Sequence, residues 1–165
     1  EPFAVLLPDE IMGDSSLLSQ MADLSAATGG SVVGLKQVPR DEVHRYGVID
    51  PAGPLGNDGV IPIRNMVEKP KNADAPSELI IIGRYVLTPD VFDCIERVQP
   101  GSGGEIQLTD ALCMQAEAGP FHGVLSDILR YDTGNPFGWL TAVVELALAD
   151  PAIGAEFAEW LRGKA

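Results

Sequence analysis

The chain has 165 residues, 45% of them apolar and 21% charged, and its 11 Lys and Arg against 24 Asp and Glu give a formal net charge of −13. That length and balance suit one globular domain with its own core, not a disordered segment. The acidity excludes nucleic acid and anionic membrane as partners, and no run approaches the roughly 20 apolar residues that a membrane span needs.

In chain order, "FAVLLP" (3–8) is a continuous apolar run and predicts a strand covered on both faces. Native termini are usually polar and loose, so a chain that opens on such a strand is expected to be a piece of a longer protein. "DEIMGDSS" reads as a loop ending in helix-capping residues. Leu17, Met21, Leu24 and Thr28 then recur at helical spacing, and Gly29 with Gly30 ends that helix. "SVVGLKQV" is the next strand, "PRDEVHR" a turn, and residues 46–67 a hairpin with the loose tip "PAGPLGNDG". After "KPKNADAPS" comes "ELIIIGRYVL", a second strongly buried strand. Thr88 and Pro89 predict a helix start, threonine as cap and proline at the first helical position. "PGSGG" (100–104) reads as a flexible connector, since it lacks the GxxxxGK[ST] phosphate loop. "EIQLTDALCMQAEAG" predicts a helix closed by Gly119, "FHGVLS" and "ILRYD" short strands. Asn135 and Pro136 start a helix to about Ala149, and beyond Pro151 a last amphipathic helix carries Phe157, Trp160 and Leu161 on one side. Strands alternating with helices indicate an α/β layered sheet, and without repeats or an evident linker the chain reads as one domain over 1–165, its C-terminal helices at 136–165.

Ligands of open α/β sheets bind beyond the carboxyl ends of strands. Three predicted strand ends carry carboxylates: Asp9, Glu68 and Asp132. Asp9 and Asp132 suit Mg²⁺, an ion that takes one or two carboxylates together with phosphates and water. The plainer alternatives are a helix-entry cap for Asp9 and an Asx-turn before Gly134 for Asp132. In "RNMVEKPK" (64–71) Glu68 and Lys69 sit side by side where a strand is about to stop, and as strand neighbours facing opposite ways they are not expected to pair. Either that strand end is merely solvated, or the carboxylate accepts from sugar hydroxyls while the ammonium meets a phosphate. His44 and His122 sit in ordinary contexts. Cys94 and Cys113 lack metal-ligand spacing, which excludes a zinc site and points to a reducing, cytoplasmic setting.

"LPD" at 7–9, "YGV" at 46–48, "VEKP" at 67–70, "IGRYVL" at 82–87, "GGEIQLTDA" at 103–111 and "DTGNP" at 132–136 occur together in this order. In these motifs the chain resembles the C-terminal two thirds of the bacterial UTP–glucose-1-phosphate uridylyltransferases (UDP-glucose pyrophosphorylases). The resemblance implies a Rossmann-like nucleotidyltransferase sheet of mixed strands with flanking helices, the N-terminal nucleotide-binding strands being absent. It implies uridylyl transfer from UTP to glucose 1-phosphate with Mg²⁺, and a homodimer or homotetramer at full length. Residue by residue, it implies Asp9 and Asp132 as metal ligands, Glu68 on glucose hydroxyls, Lys69 on the sugar-linked phosphate, and Gly47 offering its backbone to the sugar. Asp9, Lys69 and Asp132 are the expected catalytic set. "EIQLTDA" takes no individual roles, and Glu10 stands where many relatives have a second aspartate. The family's glycine-rich "GxGTR" loop is not in the chain, so residues 1–165 alone are expected not to turn over UTP. A thymidylyl or cytidylyl enzyme, or a non-catalytic nucleotide-sugar-binding module, would share the same sugar-site logic.

Overall fold

A computed structural model describes residues 1–100 and 104–164. The expected "PGSGG" connector thus lies mostly outside the described residues. The chain divides into two compact units. The first comprises Glu1–Leu6 and Asp14–Asp127, the second Leu7–Gly13 and Ile128–Ala165. Each unit is made of segments distant in sequence, so no linker marks the division. The mixed sheet with flanking helices expected from the sequence is what the first unit contains.

In the first unit, six strands are ordered β1-β6-β3-β7-β5-β4: β1 (Phe3–Leu6), β3 (Ser31–Gln37), β4 (Gly47–Pro51), β5 (Val60–Glu68), β6 (Leu79–Leu87) and β7 (Phe121–Leu125). Among the described residues only β3 and β7 pair in parallel. The Ile- and Val-rich β6 is bonded to β1 on one side and β3 on the other, and it is buried from Ile80 to Leu87, as a strand covered on both faces should be. Strand β1 departs from expectation. It is the outermost strand and only half-buried. Phe3 and Val5 face the core, with Phe3 stacked on Phe92, while Leu6 is 51% exposed.

Helices cover both faces of this sheet. Helix α1 (Ser16–Thr28) packs Leu17 against the face to which Gly34 points, and it ends where Gly29 takes the left-handed conformation, at φ 69°. The opposite face, carrying Val33, Leu35, Ile61, Ile63 and Met66, is closed by Val91 of α2 (Val91–Arg97) and Leu112 of α3 (Leu108–Ala118). Burying each such side chain is worth about 1.5–3 kcal/mol. The start of α2 corrects a second expectation. Thr88 does not cap it, because its hydroxyl bonds Ser31 and Gln115, and the helix begins after Asp90. Helix α3 likewise begins three residues later than its pattern suggests.

The second unit contains a two-stranded ladder of β2 (Glu10–Met12) and β8 (Arg130–Asp132), with α4 (Pro136–Ala149) and α5 (Gly154–Arg162). Strand β2 falls in the stretch read as a loop, since three residues are too few to show alternation. Helix α4 starts as expected: Asn135 Oδ1 accepts from the Gly138 amide at 2.8 Å, and proline follows the cap. Phe157 and Trp160 of α5 stack at 5.7 Å, yet Trp160 is mostly exposed, not closed into a core. Both cysteines are free thiols, and among the described residues no helix is long and apolar enough to cross a membrane.

Candidate functional site

The sequence-predicted residues form two clusters, one in each unit. Asp9 and Asp132 lie in the second. Glu10 pairs with Asp132 in the β2–β8 ladder, and the Thr133 amide donates to the Asp9 carbonyl at 2.8 Å, so the two aspartates sit at adjacent rungs. A Cβ placed on Gly134 would lie 3.0 Å from Asp9 Oδ2 and 3.2 Å from Asp132 Oδ1. Two carboxylate oxygens therefore flank one small volume, kept open by a glycine. Asp9 is no helix-entry cap, because β2 intervenes and Asp14 serves the start of α1 through the Ser16 amide and hydroxyl. Asp132 does make the expected Asx-turn, accepting from the Gly134 amide at 3.0 Å.

Arg130 braces this cluster. Its guanidinium donates to both oxygens of Glu10, 2.6 Å from Nε to Oε2, and lies 3.9 Å from Asp132 Oδ2. The Arg130 and Glu10 side chains are only 8% and 10% exposed. Burial pushes the Glu10 carboxyl above its usual value, against the lowering effect of the guanidinium. On the other face of β8, the Tyr131 hydroxyl donates to Glu145 of α4 at 2.9 Å. Thr133, Gly134, Asn135, Pro136 and Trp139 line a cleft of about 430 Å³ at the N-terminus of α4, the helix end that favours negative charge. Among the described residues no group of three or more metal-ligating side chains is gathered. A pair of carboxylates fits Mg²⁺, which takes its remaining oxygens from phosphates and water.

The first unit holds Gly47, Glu68 and Lys69. Strand β5 buries Ile61 and Ile63, then shifts phase. Asn65 pairs with Asp50 and Ile63 with Pro51, leaving Arg64 as an extra residue, and the Asn65 side chain accepts from the Met66 amide at 2.8 Å. That bulge turns Met66 inward and Glu68 with it, two residues on. Glu68 lies opposite Gly47 in the ladder and accepts from the Thr109 hydroxyl of α3 at 2.7 Å. A Cβ on Gly47 would come within 3.2 Å of Glu68 Oε2 and 3.8 Å of Thr109 Oγ1.

Lys69 corrects the expectation that strand neighbours cannot meet. Its backbone is left-handed, at φ 45°, and it is the one non-glycine residue in that region among those described. The turn breaks the strand's alternation and brings Nζ to 3.8 Å from Glu68 Oε1, while the Lys69 amide still donates to the Tyr46 carbonyl. Sequence reasoning missed Thr109, Arg130 and the role of Glu10. Thr109 lies 41 residues from Glu68, and only the packing of α3 on β5 joins them.

Comparison with known proteins gives a consistent result. The family model described as nucleotidyl transferase matches residues 1–147. The UTP–glucose-1-phosphate uridylyltransferase of Staphylococcus epidermidis is 42% identical over 98% of this chain, and that of Bacillus subtilis 41% over 99%. The chain spans 56% of the length of both, nearer half than the two thirds expected from the motifs. A UTP-bound UGPase from Acinetobacter baumannii superposes with a TM-score of 0.85 at 32% identity, over 98% of this chain and 56% of that one. A UDP-glucose pyrophosphorylase complexed with UDP-glucose does so with 0.79 at 41% identity, over 86% and 54%.

Proposed function

Because the chain belongs to the nucleotidyl transferase family, we propose that its protein transfers a uridylyl group from UTP to glucose 1-phosphate, giving UDP-glucose and pyrophosphate. The observation that carries this reading is the Asp9–Asp132 pair, two carboxylate oxygens around the point beside Gly134. The names and ligands of the relatives support the choice of substrates.

Asp9 and Asp132 would hold Mg²⁺, which when bound neutralises phosphate charge and aligns the reacting oxygens. An oxygen of the glucose 1-phosphate attacks the α-phosphorus of UTP in line, a new P–O bond forms, and the bond to the β-phosphate oxygen breaks as pyrophosphate leaves. Such a displacement needs positioning and charge compensation more than a protein acid or base. Glu68 accepts hydrogen bonds from the sugar hydroxyls, Lys69 meets the sugar-linked phosphate, and Gly47 leaves room for the ring beside Glu68. The buried Glu10–Arg130 pair holds β2 against β8 and so keeps the two aspartates on adjacent rungs.

The test is pyrophosphate release by the protein as encoded, supplied with Mg²⁺, glucose 1-phosphate and UTP, TTP or CTP in turn. UTP is the expected donor. Asp132→Asn should lower kcat by roughly 100-fold or more, since it removes one ligand and one charge from the metal pair, and Glu68→Gln should raise KM for glucose 1-phosphate. Full activity in an Asp9→Asn/Asp132→Asn double variant, or a preference for TTP, would overturn the reading.

A further inference from the structure

We propose that Thr109 is a positioning residue for the sugar site, fixing the Glu68 carboxylate so that Oε1, beside Lys69, is the atom offered to ligand hydroxyls. The inference rests on the reading of Glu68 as the sugar acceptor and deepens it.

Thr109 sits in the first turn of α3 and is nearly buried. A threonine there commonly turns its hydroxyl to its own backbone. This one donates its single proton across the packed face of the sheet to Glu68 Oε2, at 2.7 Å, from 41 residues away. The bond fixes both ends of the carboxylate. Oε2 faces α3 and lies 3.2 Å from the point a side chain on Gly47 would occupy, while Oε1 lies 3.8 Å from the Lys69 ammonium. Without the hydroxyl the glutamate would have to be ordered by each ligand it binds, at a cost in affinity. With it, the acceptor is set in advance and keeps its orientation next to the cation. The β5 bulge turns Glu68 toward α3, and Thr109 then selects which oxygen is spent inside.

The experiment compares Thr109→Val, which removes only the hydroxyl, with Thr109→Ser, which keeps the hydroxyl and removes the methyl. In the protein as encoded, Thr109→Val should raise KM for glucose 1-phosphate roughly tenfold, on the scale of one hydrogen bond to a charged group. Its kcat and KM for UTP should stay within about twofold, and its thermal midpoint should remain close to the parent's. Thr109→Ser should restore KM to within about threefold. A purely structural Thr109 predicts no such split, serine hurting as much as valine and both substrates suffering. Adding Thr109→Val to Glu68→Gln should cost little more than Glu68→Gln alone, because both act through one group. If Glu68→Gln raises KM for glucose 1-phosphate and Thr109→Val does not, the role of Thr109 is refuted and the sugar site stands. If neither variant moves KM, the sugar site itself is misassigned.

Discussion

At Lys69 the backbone and the side chain ask for different residues. A left-handed φ of 45° costs a non-glycine residue roughly 1–2 kcal/mol. The ion pair made there returns little, because a 3.8 Å contact between side chains 66% and 29% exposed is worth about 0–1 kcal/mol after solvent screening. Stability alone would therefore favour glycine. The lysine is accounted for by what the turn does with its ammonium, which an extended backbone would send to the face opposite Glu68. Lys69→Gly should leave stability unchanged, or raise it by up to about 1 kcal/mol, while activity with glucose 1-phosphate falls. Thermal unfolding and steady-state kinetics on the same preparation separate the two effects. A Lys69→Gly protein that loses stability and keeps its activity would contradict the account.

The phase of β5 is the corresponding feature among the elements. Ile61 and Ile63 set an inward register that, continued unbroken, would bury Asn65 and Val67 and turn Glu68 outward. One extra residue at Arg64 prevents this. Deleting Arg64 should give a regular ladder without changing the phase, because Asn65 would then follow Ile63 outward and Met66 and Glu68 would still turn inward, toward Thr109. The expected result is a folded protein with near-parental circular dichroism and an affinity for glucose 1-phosphate close to the parent's. A large loss of affinity would show that the extra residue does more than preserve the direction of Glu68. The strand itself was legible in the sequence, as was the hairpin with β4, because alternation and turn residues are local signals. The bulge was not, since nothing in "PIRNMVE" separates an inserted residue from a polar edge. Helix α2 shows the same division. Thr88 and Pro89 have the composition of a helix start, and tertiary hydrogen bonds to Ser31 and Gln115 recruited the threonine instead.

For the molecule as a whole, those bonds belong to a network that joins elements far apart in the chain. Ser31 of β3, Thr88 after β6, Asp90 before α2 and Gln115 of α3 are linked by hydrogen bonds of 3.0–3.2 Å. Burial works against the charge on Asp90, but bonds from Thr88 and Gln115 outweigh it and hold the carboxyl below its ordinary value of 3.8. A carboxylate with a lowered folded value stabilises the protein above the unfolded value, and that contribution is lost as pH falls through the folded one. The first unit should therefore lose some stability as pH falls below 3.8, and Asp90→Asn should be less stable at neutral pH yet flatter through the acid range. Denaturant midpoints measured across that range give the comparison, and parallel curves for the two proteins would remove Asp90 from the acid response.

What the sequence determined by itself was every element but the short β2 and the identity of the chemical groups: strands and helices from periodicity, and carboxylates and a lysine at strand ends from residue type alone. Tertiary structure decided which atoms of those groups meet. The adjacency of Asp9 and Asp132 depends on a three-residue ladder between segments about 120 positions apart, and the direction of Glu68 on one inserted residue and a hydroxyl from α3. Periodicity is a property of neighbours along the chain, whereas ladder register and long-range hydrogen bonds are fixed only once distant segments are packed together.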